Sequence, residues 1–277
     1  MKSPFTFRLP WLLPVAAIAV LPAMRPASDA RSPQDSQFAY RKMANTAFKV
    51  GEKLTYRAHY GFINAARITM SVDPVMHTIN NRKTFLVKTE GETLKSFDWM
   101  YKVRDKFESY LDQESMAPLR YSMSKRENKY SAVDAVLYFH EQKKLRNLQG
   151  ELVMPSYTQD IASALYYARN LNLGTAAVGQ VFPIDVYMDN KVYNLQFKFI
   201  GRETISTDIG KVRCIKLRPK LVVDRVFKDD DDMTIWVSDD KNKIPIRVES
   251  AIQVGSVKVD ITAYENLLNT FDALQKK

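Results

Sequence analysis

The chain is poor in the residues that carry covalent and metal chemistry. Cys214 is the only cysteine, and the three histidines are His59, His77 and His140. A single cysteine excludes an intramolecular disulfide, and its strand-like setting predicts a buried structural thiol, because a nucleophile needs a nearby histidine or a helix N-terminus. The histidines follow no ligand spacing such as HxH or HExxH. No metal site, no cofactor and no catalytic residue is therefore predicted.

Long hydrophobic runs are also scarce. The longest, residues 11–21, is short against the ~20 residues that cross a bilayer as a helix. Basic residues precede it, and a small-x-small cleavage site follows at residues 28–30, with 21–23 as a poorer alternative. We predict that residues 1–30 are a signal peptide; an uncleaved membrane anchor is the alternative. No cysteine follows to carry acyl chains, so a lipoprotein is excluded and the expected location is the periplasm, with no integral membrane segment after leader removal.

Acidic residues are fewer than basic ones, and the formal net charge is +10. A basic exported protein is expected to meet an anionic envelope surface, an envelope protein or an anionic lipid. The basic residues are spread along the chain, and no recognition helix or RNP pattern is present, which argues against a nucleic-acid partner.

Strand periodicity is what the sequence has in abundance. Residues 234–238, 244–252 and 256–263 are rich in Val, Ile and Thr, alternate with period two, and are separated by turn signals. This pattern predicts an antiparallel meander with one wet face. The same pattern recurs from residue 48 onward, so the predicted fold is mainly β, a curved antiparallel sheet or barrel-like fold with one packed amphipathic helix.

The domain plan follows from these boundaries. We expect a flexible lead-in over residues 31–47, a single β-rich domain over 48–265 and a C-terminal tail over 266–277. Inside the domain, residues 160–171 carry apolar side chains at helical spacing, namely Ile161, Ala164, Leu165, Ala168 and Leu171. Ser156 or Thr158 is expected to cap this helix, which must lay its apolar face on the sheet and can close the open end of a half-barrel.

Residues 97–111 are predicted to form one long aromatic strand. Phe97, Trp99, Tyr101 and Val103 share one face, and Asp105 interrupts it, which indicates a bulge or bend. A cavity under the helix would be lined by aromatic side chains, the usual form of a small-ligand site. The predicted lining residues are Trp99, Tyr101, Phe107, Tyr166, Tyr167 and Trp236, and the predicted polar contacts are Arg104, Asp105, Asp160 and Arg169.

Two charged features have simpler explanations than chemistry. An ion pair of Asp105 with Arg104 or Arg169, tying helix to sheet, is expected ahead of acid–base catalysis. The run Asp229–Asp232 lacks the alternation and the glycine of a calcium loop, so a solvated connection is expected there.

A set of short motifs resembles the bacterial domain-of-unknown-function family 3108. The motifs are Phe48-x-x-Gly51-Glu52-x-Leu54-x-Tyr56, Tyr101-x-x-x-Asp105, Gln159-Asp160-x-x-Ser163-Ala164-x-Tyr166-Tyr167-x-Arg169, Trp236-Val237-Ser238-Asp239-Asp240, Ile244-Pro245 and Gly255-Ser256. The resemblance covers about residues 48–265. It implies an exported protein and supplies no catalytic residues.

The leading interpretation is a non-enzymatic periplasmic binding or envelope-biogenesis factor that holds a lipid or other apolar ligand. Two alternatives stay open. One is a hydrolase acting on an envelope glycan or ester through carboxylates near Asp105. The other is a protein-interaction module that pairs through an exposed sheet edge.

Overall fold

The computed structural model describes residues 38–221, 233–252 and 255–275. The predicted signal peptide, residues 31–37 of the lead-in and the run Asp229–Asp232 lie outside the described residues. Within the described part no helix has the length and apolarity needed to cross a membrane.

Strands make up most of the described chain, and the sequence expectation of a mainly β fold with one helix is confirmed. The first ten strands are β1 (Lys53–Tyr60), β2 (Ile63–Val72), β3 (His77–Ile79), β4 (Arg82–Thr93), β5 (Arg104–Asp112), β6 (Pro118–Glu127), β7 (Tyr130–Phe139), β8 (Lys144–Asn147), β9 (Gly150–Val153) and β10 (Gln159–Asp160). The remaining elements are α1 (Ile161–Ala168), β11 (Val181–Met188), β12 (Lys191–Thr207), β13 (Gly210–Leu221), β14 (Met233–Ser238), β15 (Pro245–Ala251), β16 (Ser256–Glu265) and β17 (Leu274–Gln275).

The strands form one curved sheet with two arms that meet at β1. One arm runs from β1 through β2, β4, β5, β6, β7 and β8 to β9, with β3 also paired to β4. The other runs from β1 through β16, β15, β14, β13, β12 and β11 to β10, with β17 also paired to β13. Every pairing is antiparallel except β10 with β11, so the predicted meander β14–β15–β16 is confirmed.

Side chains join the free ends of the two arms. Tyr187 of β11 donates its hydroxyl to Asp134 of β7 at 2.6 Å and accepts from Asn147 of β8 at 2.8 Å. Asp160 of β10 accepts from Ser109 of β5 at 2.7 Å. The sheet is thus barrel-like through side-chain contacts, and no backbone ladder connects the arms among the described strands.

The helix lies inside this curl and has one face on the β1 side of the core. Tyr166 is fully buried and meets Phe48 edge to face at 4.9 Å, and Phe48 meets Phe85 at 5.1 Å. The cap differs from the sequence expectation: Asp160, and not Ser156 or Thr158, accepts from the backbone N–H of Ser163, whose hydroxyl oxygen accepts from the N–H of Asp160. This reciprocal pair satisfies two of the free N–H groups at the helix start.

Two boundaries also differ. The folded part extends past the predicted 48–265, because Ala47 is fully buried on one side and β17 pairs with β13 on the other, next to the fully buried Ala273. The predicted strand over residues 97–111 is wrong in its first half. Residues 95–100 form turns, and β5 begins only at Arg104, since Asp98 bonds Arg104 and Thr93 and closes the connection back on itself.

Candidate functional site

An apolar cavity of about 310 Å³ lies between α1 and the arm formed by β11 to β15. Its walls are almost entirely aliphatic and aromatic, and most of the lining side chains are only half-buried. The lining residues are Ile161, Ala164, Leu165, Ala168, Arg169, Leu173, Val186, Met188, Tyr193, Leu195, Phe197, Leu217, Pro219, Met233, Ile235, Val237, Lys243 and Pro245.

Local sequence explains how each wall forms. On α1 the predicted apolar stripe supplies Ile161, Leu165 and Ala168 to the cavity, while Ala162 and Tyr166 turn toward the core. On β12 the alternation of Tyr193, Leu195 and Phe197 puts these three on one face, as the period of two requires. Helix and strand therefore present their apolar sides to each other without filling the space between them.

Two cationic side chains line the end of the cavity that lies between the C-terminus of α1 and the β14–β15 turn. Arg169 is only 2 % exposed and is fully engaged: it binds both carboxylate oxygens of Glu52 at 2.5 and 2.9 Å and donates to the carbonyls of Ala47 and Asn242. Lys243 is different. Its ammonium forms no ion pair with a carboxylate in the described part of the chain. Burial lowers the pKa of Lys243, with the Asp240 charge opposing this and the Arg169 charge adding to it.

Lys243 is held in place by the turn that the sequence predicts. Asp240 accepts from the backbone N–H groups of Asn242 and Lys243 and from the Ser238 hydroxyl, as aspartates in turns do. The carboxylate of Asp240 therefore organises the loop, while the lysine side chain reaches the cavity.

None of the six predicted aromatic lining residues lines this cavity. Trp99 and Tyr101 are 83 % and 45 % exposed on the connection between β4 and β5, because that connection is not a strand. Phe107 is half-buried and packs between two core clusters. Tyr166 is core, Tyr167 packs beside it and contacts Arg41, and Trp236 is buried with its indole N–H donating to Glu203 at 2.6 Å.

The predicted polar contacts are dispersed as well. Arg104 pairs with Asp98 at 2.6 Å, Arg169 pairs with Glu52, and Asp160 serves the helix cap. The expected ion pair of Asp105 with Arg104 or Arg169 is therefore wrong. Of the four, only Arg169 borders the cavity.

Asp105 shares its strand face with Phe107 and Ser109 and lies beside a second carboxylate, that of Glu127. Its Oδ1 accepts from the backbone N–H of Arg126, and partial burial, with the charge of Glu127 adding to it, raises the pKa of Asp105. Tyr101 donates its hydroxyl to Glu127 at 3.2 Å. A shallow polar depression lined by Arg67, Glu90, Glu92 and Asp105 adjoins this set.

Three buried titratable groups are structural. Cys214 is fully buried, and burial raises its thiol pKa to about 12, which confirms the predicted buried thiol. Burial raises the pKa of Asp160 to about 6 and lowers that of His140 to about 4. His140 accepts from the backbone N–H of Tyr157 and donates to the carbonyl of Pro118. No group of metal-ligating side chains is present among the described residues.

Sequence reasoning missed Lys243 and the aliphatic walls on β11 to β15. The signal for the walls was available in the alternation of β12. The sequence around Lys243 does not indicate that this lysine lines a cavity. Its proximity to the cavity depends on the position of the C-terminus of α1 in the fold.

The chain is similar to one protein family and to several solved structures. The family model described as "Protein of unknown function (DUF3108)" matches residues 55–262. A "beta-barrel-like protein of domain of unknown function DUF1849" from Brucella abortus is similar at TM-score 0.48 and 10% identity over 80% of this chain and 99% of that one. A "putative lipoprotein" from Parabacteroides distasonis is similar at TM-score 0.37 and 12% identity over 81% and 99%. None of the curated proteins is detectably similar to this chain.

Proposed function

We propose that this chain, which belongs to the DUF3108 family of proteins of unknown function, is an exported periplasmic carrier that holds an apolar ligand and performs no catalysis. The observation that carries the proposal is the apolar cavity between α1 and β11 to β15. Apolar side chains that line an open cavity remain in contact with water unless a ligand covers them, and a ligand that does so gains the free energy of burial. The predicted leader over residues 1–30 supports export.

The cavity favours a single acyl chain with an anionic head group. Its volume of about 310 Å³ is near the lower end of small-molecule sites, which run from ~300 to ~1,000 Å³, and this favours one chain over a two-chain lipid. Lys243 supplies a cation at one end, near the charge of Asp240 but in no ion pair among the described residues. A carboxylate or phosphate head beside it would accept the charge-assisted hydrogen bond that no described carboxylate accepts.

The test is native mass spectrometry of the protein purified from the periplasm, followed by titration with a fluorescent fatty acid. We expect a co-purifying lipid mass and saturable uptake. Ala168→Phe should fill the cavity and abolish both, whereas Ala135→Phe, on an exposed position of β7, should leave both unchanged. The carrier proposal fails if the wild-type protein carries no lipid and takes up no probe.

The head-group assignment has its own test. Lys243→Met should weaken binding of a fatty acid about tenfold, the value of one charge-assisted hydrogen bond of ~1.4 kcal/mol. Binding of the fatty alcohol of equal length should be unchanged. Equal losses for acid and alcohol would show that Lys243 acts through packing.

Hydrolysis is the second candidate, and the pairing of Asp105 with Glu127 favours it. A carboxyl group whose pKa is raised beside another carboxylate is the arrangement of acid–base pairs. Turnover of envelope glycans or esters that is lost in Asp105→Asn, with unchanged folding, would replace the carrier proposal. The third alternative, pairing through a sheet edge, would use β9, where Val153 is 80 % exposed; a complex that Val153→Lys abolishes would support it.

A further inference from the structure

Three neighbouring turns at one end of the sheet carry large apolar side chains into solvent. They are the β1–β2 turn, the β4–β5 connection and the β6–β7 turn, and we call their exposed apolar residues the aromatic rim: Phe62, Ile63, Trp99, Met100, Tyr101 and Tyr130. Phe62 is fully exposed and Trp99 is 83 % exposed, while the others are between 45 % and 58 % exposed. Single exposed apolar residues are ordinary, but a contiguous group marks an interaction surface.

Hydrogen bonds join these turns to one another. The N–H of Leu94 donates to the carbonyl of Ala65, just after the β1–β2 turn, at 2.9 Å. The backbone groups of Lys102 bond Asn128 of the β6–β7 turn twice, each at 2.8 Å. The three turns therefore adjoin one another at this end of the sheet.

The connection that carries Trp99 is built to hold this exposure. Asp98 accepts from Arg104 at 2.6 Å and from the Thr93 hydroxyl at 2.7 Å, and the indole N–H of Trp99 donates to the carbonyl of Ser96 at 2.9 Å. These hydrogen bonds fix the connection with the indole ring exposed. A partner that contacts the ring therefore does not have to offset the entropy of ordering this connection.

Charge identifies the partner. Lys95, Lys102 and Lys129 lie among the rim residues, are exposed, and have no carboxylate within ion-pair distance in the described part of the chain. Asp98 is paired with Arg104, whereas Glu127, which accepts from the Tyr101 hydroxyl, and Asp105 form no ion pair in the described part of the chain, so the three lysines outnumber the unpaired carboxylates. Aromatic rings flanked by an excess of lysines are the composition of surfaces that lie in the interface of an anionic bilayer.

We propose that the aromatic rim docks the protein on anionic membrane surfaces, with Phe62 and Trp99 entering the head-group region and the three lysines meeting lipid phosphates. This surface is distinct from the cavity, so it neither requires nor follows from the carrier proposal. Docking would bring the protein to a lipid surface without a membrane-spanning segment.

The test is co-sedimentation of the exported protein, its N-terminus read by mass spectrometry, with vesicles of phosphatidylglycerol or phosphatidylcholine. We expect binding to phosphatidylglycerol that weakens as salt rises, and a blue shift of tryptophan emission on binding. Trp99→Phe should remove the shift and retain binding, because Trp236 is already buried.

Matched variants separate the rim from general surface apolarity. Phe62→Ser with Trp99→Ser should lower binding at least about tenfold, since ~1.4 kcal/mol is a modest part of burying two rings. Val153→Ser with Val178→Ser removes two equally exposed side chains, 80 % and 75 % exposed, away from the rim and should change nothing. All these side chains are exposed, so thermal unfolding should be alike in both variants.

Two further experiments test the role of the three lysines and whether the partner of the rim is a membrane or a second copy of the chain. Lys95→Gln, Lys102→Gln and Lys129→Gln together should lower binding to phosphatidylglycerol roughly fivefold per lysine and leave phosphatidylcholine unaffected. Ala168→Phe should dock like the wild type, which keeps this result separate from ligand carriage. The proposal is overturned by rim variants that bind phosphatidylglycerol like the wild type, by absence of binding, or by a dimer in analytical ultracentrifugation that the rim variants dissolve, which would make a second copy the occupant.

Discussion

Replacing Glu52 by Gln should destabilise the protein severely, because Glu52 is the only carboxylate that contacts the buried Arg169 among the described residues. Glu52 is fully buried and Arg169 is 2 % exposed, and two bonds of 2.5 and 2.9 Å join them. The glutamine keeps the shape of the side chain but leaves the guanidinium buried without a countercharge. Breaking a buried pair in this way costs about 3–5 kcal/mol, a large part of the ~5–15 kcal/mol that holds a typical domain together.

The surroundings of Arg169 decide where in that range the cost falls. Its remaining donors bond the carbonyls of Ala47 and Asn242 at 3.0 and 2.9 Å, and its guanidinium carbon lies 5.4 Å from the Tyr166 ring centroid and 5.5 Å from that of Phe48. These contacts persist in Glu52→Gln, and the amide oxygen of the glutamine can still accept one hydrogen bond from Arg169. The expected loss of unfolding free energy is therefore about 3 kcal/mol.

The assay is equilibrium urea unfolding followed by circular dichroism, with Glu151→Gln as the matched control. Glu151 pairs with Arg146 on the surface, where the two side chains are 46% and 58% exposed, and loss of such a solvent-screened pair costs far less than loss of a buried one. Arg169→Met in both backgrounds gives the coupling energy, expected at about 2 kcal/mol or more. If Glu52→Gln lowers the free energy of unfolding no more than Glu151→Gln does, the buried ion pair does not form in solution and the position of α1 described above is wrong.

Four further outcomes follow from buried groups. Burial raises the pKa of Asp160 in the folded protein to about 6. The free energy of unfolding should therefore be highest at low pH and fall by about 3 kcal/mol as pH rises from about 4 through 6. Asp160→Asn, which still caps the helix, should remove this fall in unfolding curves measured at several pH values. His140 has a folded pKa lowered to about 4, so its contribution is present above about 6.5 and is lost as pH falls through 4, and His140→Gln should abolish that loss. Cys214, with a thiol pKa raised to about 12, should resist a thiol reagent at pH 8 in the native protein and react in urea; rapid native labelling would contradict its burial. Tyr187→Phe removes two of the bonds that join the arms of the sheet and should cost about 1–3 kcal/mol of unfolding free energy. A loss below a few tenths would show that these two bonds do not hold the arms together.

The predicted candidate site and the observed one share little. The helix stripe of Ile161, Ala164, Leu165 and Ala168 was predicted as an apolar face and lines the cavity. The predicted aromatic lining does not coincide with this cavity, and Trp99 and Tyr101 lie on a connection and not on a strand. Their side-chain directions follow the hydrogen bonds of Asp98 to Thr93 and Arg104, and hydropathy periodicity carries no information on those bonds.

The choice of ion-pair partners is the second feature that the sequence pattern does not predict. The sequence predicts an ion pair of Asp105 with Arg169 or Arg104, yet the carboxylate that binds Arg169 is Glu52, 117 residues away along the chain. Arg104, Arg169 and Asp105 are each charged and near turns or ends of elements, and local pattern cannot rank the possible pairs. The ranking depends on which strand passes the end of α1, and that is a property of the complete sheet.

By itself, the amino-acid sequence determined the mainly β fold, the meander of β14 to β16, the amphipathic stripe of α1, the burial of Cys214 and the family. These are consequences of side-chain periodicity over a few residues and of short motifs, and such signals are local. Only the tertiary structure decided that an apolar space remains between helix and sheet, that Lys243 stands at its end, and that three turns bring the aromatic rim together. The physical reason is that these features arise from strands distant in sequence, whose relative positions are set by the curl of the whole sheet.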